Sequence, residues 1–401
     1  MDIITAKETV IKAGKQLVEY GLIARTWGNV SCRISDSQFV ITPSGKPYDV
    51  LTPDDIVVVN IEDLEYEGDI KPSSEKGIHA QCYKLRPETN FVIHTHQTNA
   101  SLVSALGLDI NGLEGRSKEI IGNEIPMGGY GLPGTKTLRK GVVSALLRSD
   151  SKAVIMAHHG ALCLGSDYDE AFNIANEIEI VCEKFVLRKY KEVTGKVGEA
   201  LNDVTDFVSK RFRINAEAEQ LKKYDSMREG SFMTMLDKSG KEIGSADISC
   251  SCYEKKLPRE AKIHAAVYNS RENVNYIIHS DKAEISAVSC SGKKLKPLLD
   301  DFAQIAGATV KAVKYYSDRE ASLKKISRSI KGGRNAVLLK DNGALCCGKD
   351  KFNAEATEMV VEKNCKTYIT AELFDTVKPI NPIETRLMNI VYRMKYSKQA
   401  E

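Results

Sequence analysis

Residues 5–20 place Val10, Ala13, Leu17 and Val18 along one side of a helical wheel, which predicts an amphipathic helix. VSCRI and QFVITPS flank a polar turn at Ser35–Ser37 and read as two strands, and IVVVNI reads as a third. Residues 74–85 return to helical spacing, with Ile78, Cys82 and Leu85 aligned. A strand over 90–95 and a helix over 97–106 follow, then a strand in AVIMAH and, past GALCLGSD, a helix over 169–189. Helices alternate with strands, but short hairpin-like strands recur as well. That combination predicts an α/β fold with a mixed or antiparallel sheet flanked by helices, rather than a doubly wound parallel sheet.

The pattern occurs twice. EKGIHAQCYKLRPETNFVIHTH, from Glu75 to His96, matches EAKIHAAVYNSRENVNYIIHSD, from Glu260 to Asp281, at an offset of 185. AVIMAHHGALCLG (153–165) matches AVLLKDNGALCCG (336–348) at an offset of 183. A weaker third pairing sets KAGKQLVEYG, near residue 20, against AEAEQLKKYD, near 224, and predicts a second helix of the same kind there. The repeated order of motifs predicts a duplication, with one domain over 1–200 and a second over 211–401 joined by the polar EVTGKVGEALNDVTDF segment. A chain of 401 residues exceeds the ~250–300 at which one hydrophobic core stops growing, which supports the same division.

Composition narrows the classes. Hydrophobic residues make up 42% and charged residues 28%, which excludes a wholly disordered or low-complexity chain. Lys and Arg (57) nearly balance Asp and Glu (54), so a polyanionic nucleic-acid partner is not expected. No apolar run reaches the ~18 residues of a membrane span, and the charged start MDIITAKETVIKAGKQ carries no secretory pattern, so neither membrane insertion nor secretion is expected. Ten cysteines without a CxxC pair suit a reducing, cytoplasmic setting better than a disulfide framework or zinc knuckle.

The seven histidines carry more chemistry. His94 and His96 end a predicted strand as HTH, and a period of two sends both rings to one face. His158 and His159 end another strand, and only one of two neighbours can turn inward. Glu75 starts a helix after the turn-forming KPSS. Imidazoles with a carboxylate suit a divalent metal, although HxH spacing alone equally allows a packed or hydrogen-bonded pair. His79, one turn beyond Glu75 and matched by His264 beside Glu260, reads as a hydrogen-bonding structural residue. Three turns could cradle an anion: Gly28–Asn29, Ser44–Gly45, and Ser73–Ser74, the last at a helix start with free N–H groups. There is no GxxxxGK[ST] and no strand-linked GxGxxG, so nucleotide binding has no support.

TWGNVS, ITPSG, KPSSE, VIHTH, YGLPGT and HHG arrive in that order, and the ordered set resembles the class II aldolase/adducin family. Its enzyme members include fuculose-phosphate aldolase and ribulose-phosphate 4-epimerase. The resemblance covers about 15–190, with a degraded second copy over 211–401. It implies two tandem α/β/α domains, each a mainly antiparallel sheet flanked by helices. It implies a divalent metal held by His94, His96 and His159, with Glu75 as both ligand and acid/base. Zinc is the first expectation, with Mn²⁺, Co²⁺ or another divalent cation as alternatives. Gly28, Asn29, Ser44, Gly45, Ser73 and Ser74 match the family's phosphate-binding positions, and Tyr130 matches loosely an aromatic that donates a proton across a subunit boundary.

The activity implied is reversible aldol cleavage of a small ketose phosphate through a metal-stabilised enediolate. TWGNVS is closer to the epimerase wording, yet Glu75 replaces the aspartate usual after PSS in epimerases. A sugar-phosphate 4-epimerase, dehydratase or decarboxylase is the alternative, and a non-catalytic, adducin-like interaction protein a further one. In the second copy Asp281 and Asn342 replace two histidines and no GNVS or TPSG equivalent is recognisable, so a metal-free, structural domain is expected there. Partners follow from the family: a phosphorylated sugar, no nucleic acid, no membrane, and a homo-oligomer, in the form of a dimer of tandem-domain chains.

Overall fold

The computed structural model describes residues 1–23, 25–212, 219–317, 319–374 and 377–395. Two compact units emerge, Met1–Val197 and Gly198–Glu401. The first contains strands β1 (Gly28–Arg33), β2 (Gln38–Ile41), β3 (Val57–Asn60), β4 (Phe91–Thr95), β5 (Ile110–Asn111), β6 (Glu124–Ile125), β7 (Met127–Gly128), β8 (Ala153–Met156) and β9 (Gly160–Gly165). Its helices are α1 (Ile3–Glu19), α2 (Lys76–Leu85), α3 (Thr98–Ser104), α4 (Gly115–Ile121), α5 (Lys136–Arg148) and α6 (Tyr168–Thr194). The sheet runs β3-β2-β1-β4-β9-β8-β7, antiparallel except for β7 on β8, and β5 and β6 form a separate ribbon.

Alternation along the strands assigns the two faces. Phe39, Ile41, Val92, Val154 and Leu162 pack with Ile78, Cys82 and Tyr83 of α2 and Leu138 and Val142 of α5. The intervening Val40, Ile93, Ile155 and Cys163 are also buried and face the other way. On that side α1 packs on β1 and β2, and α6 packs on β4 and β9. Val10, Ala13 and Leu17 are buried as the periodicity predicts, but Val18 is 41% exposed: at one residue beyond Leu17 it rotates off the buried stripe. α6 runs past its predicted end, to a left-handed Gly195 cap.

The second unit repeats the sheet. Its strands are β10 (Asp225–Glu229), β11 (Phe232–Leu236), β12 (Glu242–Asp247), β13 (Tyr276–Ser280), β14 (Ala312–Val313), β15 (Ala336–Leu339) and β16 (Ala344–Gly348), ordered β12-β11-β10-β13-β16-β15-β14. Its helices are α7 (Leu201–Phe212), α8 (Ala261–Tyr268), α9 (Ala283–Cys290), α10 (Asp300–Ile305), α11 (Glu320–Ile330), α12 (Lys351–Ala371) and α13 (Pro382–Lys395). Register agrees as well: His94 pairs with Leu162, and His279 pairs with Leu345. The predicted helix in AEAEQLKKYD is not found: residues 216–218 lie outside the described residues, 219–224 are non-helical, and Asp225 opens β10. β10 instead occupies the place of β1, since Ser31 faces Val92 and Ser226 faces Ile277. This puts Lys223 and Tyr224 where the first unit has Gly28 and Asn29.

Each unit buries the same polar knot under its sheet. The Ser31 hydroxyl lies 2.6 Å from His79 Nδ1 and 2.6 Å from the Tyr83 hydroxyl. The Ser226 hydroxyl lies 2.7 Å from His264 Nδ1 and 2.8 Å from the Tyr268 hydroxyl. Arg33 and Arg228 each donate to the carbonyl of their tyrosine and lie over its ring. Among the described residues, no helix is long and apolar enough to cross a membrane.

Burial, together with nearby positive charge, lowers both His79 and His264 to about 3. The unfolded chain takes up these protons near pH ~6.5, far above the folded one, so the stabilisation is complete above that pH and lost as pH falls towards 3. Each histidine should contribute a slope of about 1.4 kcal/mol per pH unit inside this window. Urea denaturation of the metal-free protein between pH 6 and 4 should show this loss, with a shallower slope in His264→Gln for the second unit. An unchanged slope would remove His264 from the pH dependence.

Candidate metal centre and active site

The first unit gathers three histidines at one end of β4. His94 is its penultimate residue and His96 lies one position past its end. The His94 Nδ1–H donates to the Ala161 carbonyl at 2.9 Å, which turns Nε2 into the cluster, 3.0 Å from His96 Nε2. Between β8 and β9, His158 adopts a left-handed φ of 60° and sets its ring edge-on to Tyr130 at 5.4 Å. The next residue, His159, therefore turns inward and stacks on His94 at 4.9 Å. One ligand atom from each of His94, His96 and His159 lies within 4.8 Å of the others. His94 and His159 are buried, whereas His96 is half-buried and opens the cluster to solvent.

Glu75 completes the group from the N-cap of α2. Its Oε2 lies 3.2 Å from His94 Nε2 and its Oε1 lies 2.9 Å from His159 Nε2. Burial raises its proton affinity, but His94 and His159, with hydrogen bonds from His159 and Asn29, outweigh this and hold the carboxyl well below its usual range. Three imidazoles with one ionised carboxylate form a borderline-soft, mixed N/O donor set that fits a divalent cation. The close approach of backbones here requires glycine. A Cβ on Gly28 would stand 2.6 Å from the His94 carbonyl, and one on Gly160 would collide with the Thr95 carbonyl, so both neighbours of β4 are glycine at this end.

The three anion-type turns lie beside one another. Thr42 joins them: its hydroxyl accepts from Val30 N–H at 3.2 Å, and its carbonyl accepts from Ser73 N–H at 3.0 Å. Pro43 bridges Pro72, and Ser44 N–H donates to the Lys71 carbonyl at 2.9 Å. Gly134 packs on Ser74, bringing in the YGLPGT turn. Ser74 is exposed, while the Ser73 hydroxyl is committed to Glu75 N–H at 3.2 Å. Asn29 is buried, and its side chain is spent on two partners: its Nδ2 donates to Glu75 Oε2 at 3.0 Å and its Oδ1 meets His79 Nε2 at 2.5 Å. Ser31, Thr42, Tyr83 and the Ala161 carbonyl escaped the sequence reading, because none belongs to a spacing motif and each acts through a register contact.

In the second unit the chain itself fills the corresponding place. Glu260 accepts from Lys222 N–H at 3.1 Å and from Arg259 Nε at 3.2 Å. Asn342 accepts from Leu221 N–H at 2.8 Å and donates to the Glu219 carbonyl at 2.8 Å. His279 has turned its Nε2 to the Asn342 carbonyl at 2.8 Å. The Lys223 ammonium lies 3.1 Å from Asn342 Oδ1 and faces Asp281 and Glu260, whose charges partly offset the lowering of its pKa by burial. Among the described residues, no cluster of three potential metal ligands lies in this unit.

The profile of the family described as Class II Aldolase and Adducin N-terminal domain matches residues 8–186 and again 218–369. The chain belongs to this family, as a tandem of two of its domains. L-fuculose phosphate aldolase of Escherichia coli (strain K12) is 33% identical over 177 residues, 44% of this chain and 80% of that protein. The 5-methylthioribulose-1-phosphate/5-deoxyribulose-1-phosphate aldolase of Rhodospirillum rubrum is 34% identical over 182 residues, 45% of this chain and 80% of that protein. A solved structure of L-fuculose 1-phosphate aldolase is 29% identical, with a TM-score of 0.44, over 52% of this chain and 97% of that one. Family and histidine cluster together define a metal-dependent, lyase-type enzyme of the class II aldolase kind.

One tightly held divalent ion per chain is expected. Elemental analysis after metal-replete purification should read about one, and His96→Ala should reduce it to a small fraction, because no other residue of the cluster can replace an imidazole lost from three. Two tight ions per chain would contradict the reading of the second unit.

Proposed function

We propose that the chain reversibly cleaves a small ketose phosphate by aldol chemistry in its first unit, with His94, His96, His159 and Glu75 holding a divalent cation, zinc first, Mn²⁺ or Co²⁺ as alternatives. The observation that carries this reading is the Glu75 carboxylate, buried between two of the histidines and one residue from the Ser73–Ser74 turn. When bound, such a cation supplies a Lewis acid that draws electron density from a substrate carbonyl and its neighbouring hydroxyl. The relatives named as aldolases of fuculose phosphate and of methylthioribulose and deoxyribulose phosphates support a phosphorylated ketose as the substrate class.

This chain's residues then divide the work. Gly28, Ser44, Gly45 and Ser74 present backbone N–H and hydroxyl groups to the phosphate, with Asn29 and Ser73 bracing the same turns from within. Binding at that remote end orients the carbon chain over the cluster. Cleavage requires a base for the proton of the hydroxyl beyond the breaking bond and an acid that returns a proton to the carbon left as an enediolate. Glu75 is assigned the second step: ionised at neutral pH, it takes the carbon's proton directly in the condensation direction, and in cleavage it first gains a proton from solvent and then delivers it to that carbon, while the proton released by the hydroxyl leaves to solvent. Tyr130, lying against His158 at the rim, is assigned the proton on the far side of the bond.

The second unit is assigned a structural part, and the active assembly is a homo-oligomer built on a dimer of tandem chains. We place it in the cytoplasm, where ten free cysteines stay reduced.

Metal-replete protein incubated with ketose and methylthio-ketose phosphates, followed by mass spectrometry, tests the reaction. Dihydroxyacetone phosphate plus an aldehyde is expected; an isomer or a dehydrated or decarboxylated product would reassign it. Glu75→Gln should lower turnover by about 10²–10⁴, with metal content measured alongside so that a lost proton transfer is told apart from lost metal. Glu260→Gln and His279→Ala should leave turnover within about threefold, since both belong to the unit assigned a structural part. Light scattering at a single chain's mass would remove the oligomer.

A further inference from the structure

A single line of buried hydrogen bonds leads from the interior of the first unit to Glu75. Tyr83 reaches Ser31 at 2.6 Å, Ser31 reaches His79 Nδ1 at 2.6 Å, His79 Nε2 reaches Asn29 Oδ1 at 2.5 Å, and Asn29 Nδ2 reaches Glu75 Oε2 at 3.0 Å. The direction of the line is decided at its end. An ionised carboxylate only accepts, so Asn29 must turn its NH₂ to Glu75 and its oxygen to His79. His79 must then donate from Nε2 and accept at Nδ1, which makes Ser31 the donor to His79 and Tyr83 the donor to Ser31. A flipped Asn29 would set its oxygen against the Glu75 carboxylate and its NH₂ against the His79 N–H, two repulsive contacts among buried groups.

The second unit separates this line from ordinary packing. It keeps the Ser226–His264–Tyr268 knot at nearly the same distances. There Tyr224 stands in place of Asn29, Glu260 bonds to Lys222 and Arg259, and His264 Nε2 has no hydrogen-bond partner among the described residues. The knot by itself therefore serves the fold. Its extension through Asn29 occurs in the unit that carries the histidine cluster.

We propose that His79 is a positioning residue. It fixes the orientation of the Asn29 amide, and through it the Glu75 carboxylate, in the pose that meets His94 and His159, with Ser31 and Tyr83 holding the His79 ring in place from behind. The inference rests on the reading of Glu75 as the carboxylate of a metal centre, and it adds to Asn29 a role other than contact with a phosphate.

The test is Zn²⁺ affinity of the full-length protein, measured by chelator competition without any sugar phosphate. A Gln side chain can place an N–H near the position of Nε2, whereas Asn is too short and places its amide near Nδ1. His79→Asn should weaken Zn²⁺ binding by about 10–100-fold, the usual range for loss of a group that orients a ligand. His79→Gln should stay within threefold, by this argument roughly wild type. His264→Asn removes the twin histidine from the fold without reaching a metal ligand, and should leave Zn²⁺ affinity unchanged while lowering the melting temperature. If His79→Asn does not fold, Asn29→Ala breaks the same line nearer its end and should show the same weakening. Unchanged affinity in folded His79→Asn, or in Asn29→Ala where that variant replaces it, would overturn the proposal, as would an equal loss in His264→Asn. Wild-type protein that binds Zn²⁺ but cleaves no ketose phosphate would overturn the reaction and leave this inference standing. Wild-type protein that binds no divalent metal would overturn both.

Discussion

A buried carboxylate is the constraint on which the first unit's site depends. Glu75 is almost wholly removed from solvent. Ionised in such a place, a carboxylate costs several kcal/mol unless charge and hydrogen bonds surround it. Here the compensation comes from four directions. His94 and His159 contact its two oxygens, Asn29 donates to one of them, and the Ser73 hydroxyl holds the backbone of Glu75 itself. Each of these groups belongs to a different element: β4, the turn between β8 and β9, β1, and the turn before α2. The carboxylate is thus paired only when the sheet is correctly registered and α2 is docked on it, which couples the chemistry of the site to the order of the strands.

The duplication shows which parts of this arrangement the fold needs and which the chemistry needs. Both units keep seven sheet strands in the same order, the Ser–His–Tyr knot and the arginine over the tyrosine ring. Both also keep a glycine where the last strand leaves its turn, Gly160 and Gly343, because a side chain there would strike the neighbouring carbonyl. At the sheet end that gathers the histidines in the first unit, the side chains differ. Gly28 becomes Lys223, Asn29 becomes Tyr224, His96 becomes Asp281 and His159 becomes Asn342. The first unit gathers a carboxylate and three imidazoles, a donor set that fits a divalent cation. The second sets a lysine ammonium and the backbone of its own 219–223 segment among the equivalent groups.

Family membership and local geometry answer different questions. The match over both halves establishes descent and the general class of metal-dependent lyase. It does not distribute duties among residues. Asn29 and Ser73 both fall in turns suited to an anion, yet each already spends side-chain hydrogen-bonding capacity on the Glu75 segment. Ser74, by contrast, is exposed.

Local order was legible in the residues because it depends on near neighbours. Periodicity marked α1, α2, β4 and α6; the HTH motif and the HHG turn marked the cluster; and the matching of Glu75–His96 with Glu260–Asp281 marked the repeat. The repeat is lost where sequence matching has no residue types to hold, so AEAEQLKKYD aligns with a helix although its last residue, Asp225, opens β10, the counterpart of β1. Strand register decided that, since pairing Ser226 with Ile277 is a property of two distant segments together. Register also decided that His159 rather than His158 points inward, that the Ala161 carbonyl sets the His94 tautomer, and that Ser31 and Tyr83 stand behind His79. The sequence by itself determined which side chains were available and the local elements that bear them. Only the tertiary structure decided which of them meet, because polar contacts of 2.5–3.2 Å between residues 19 to 84 positions apart exist only once the sheet has closed around Glu75.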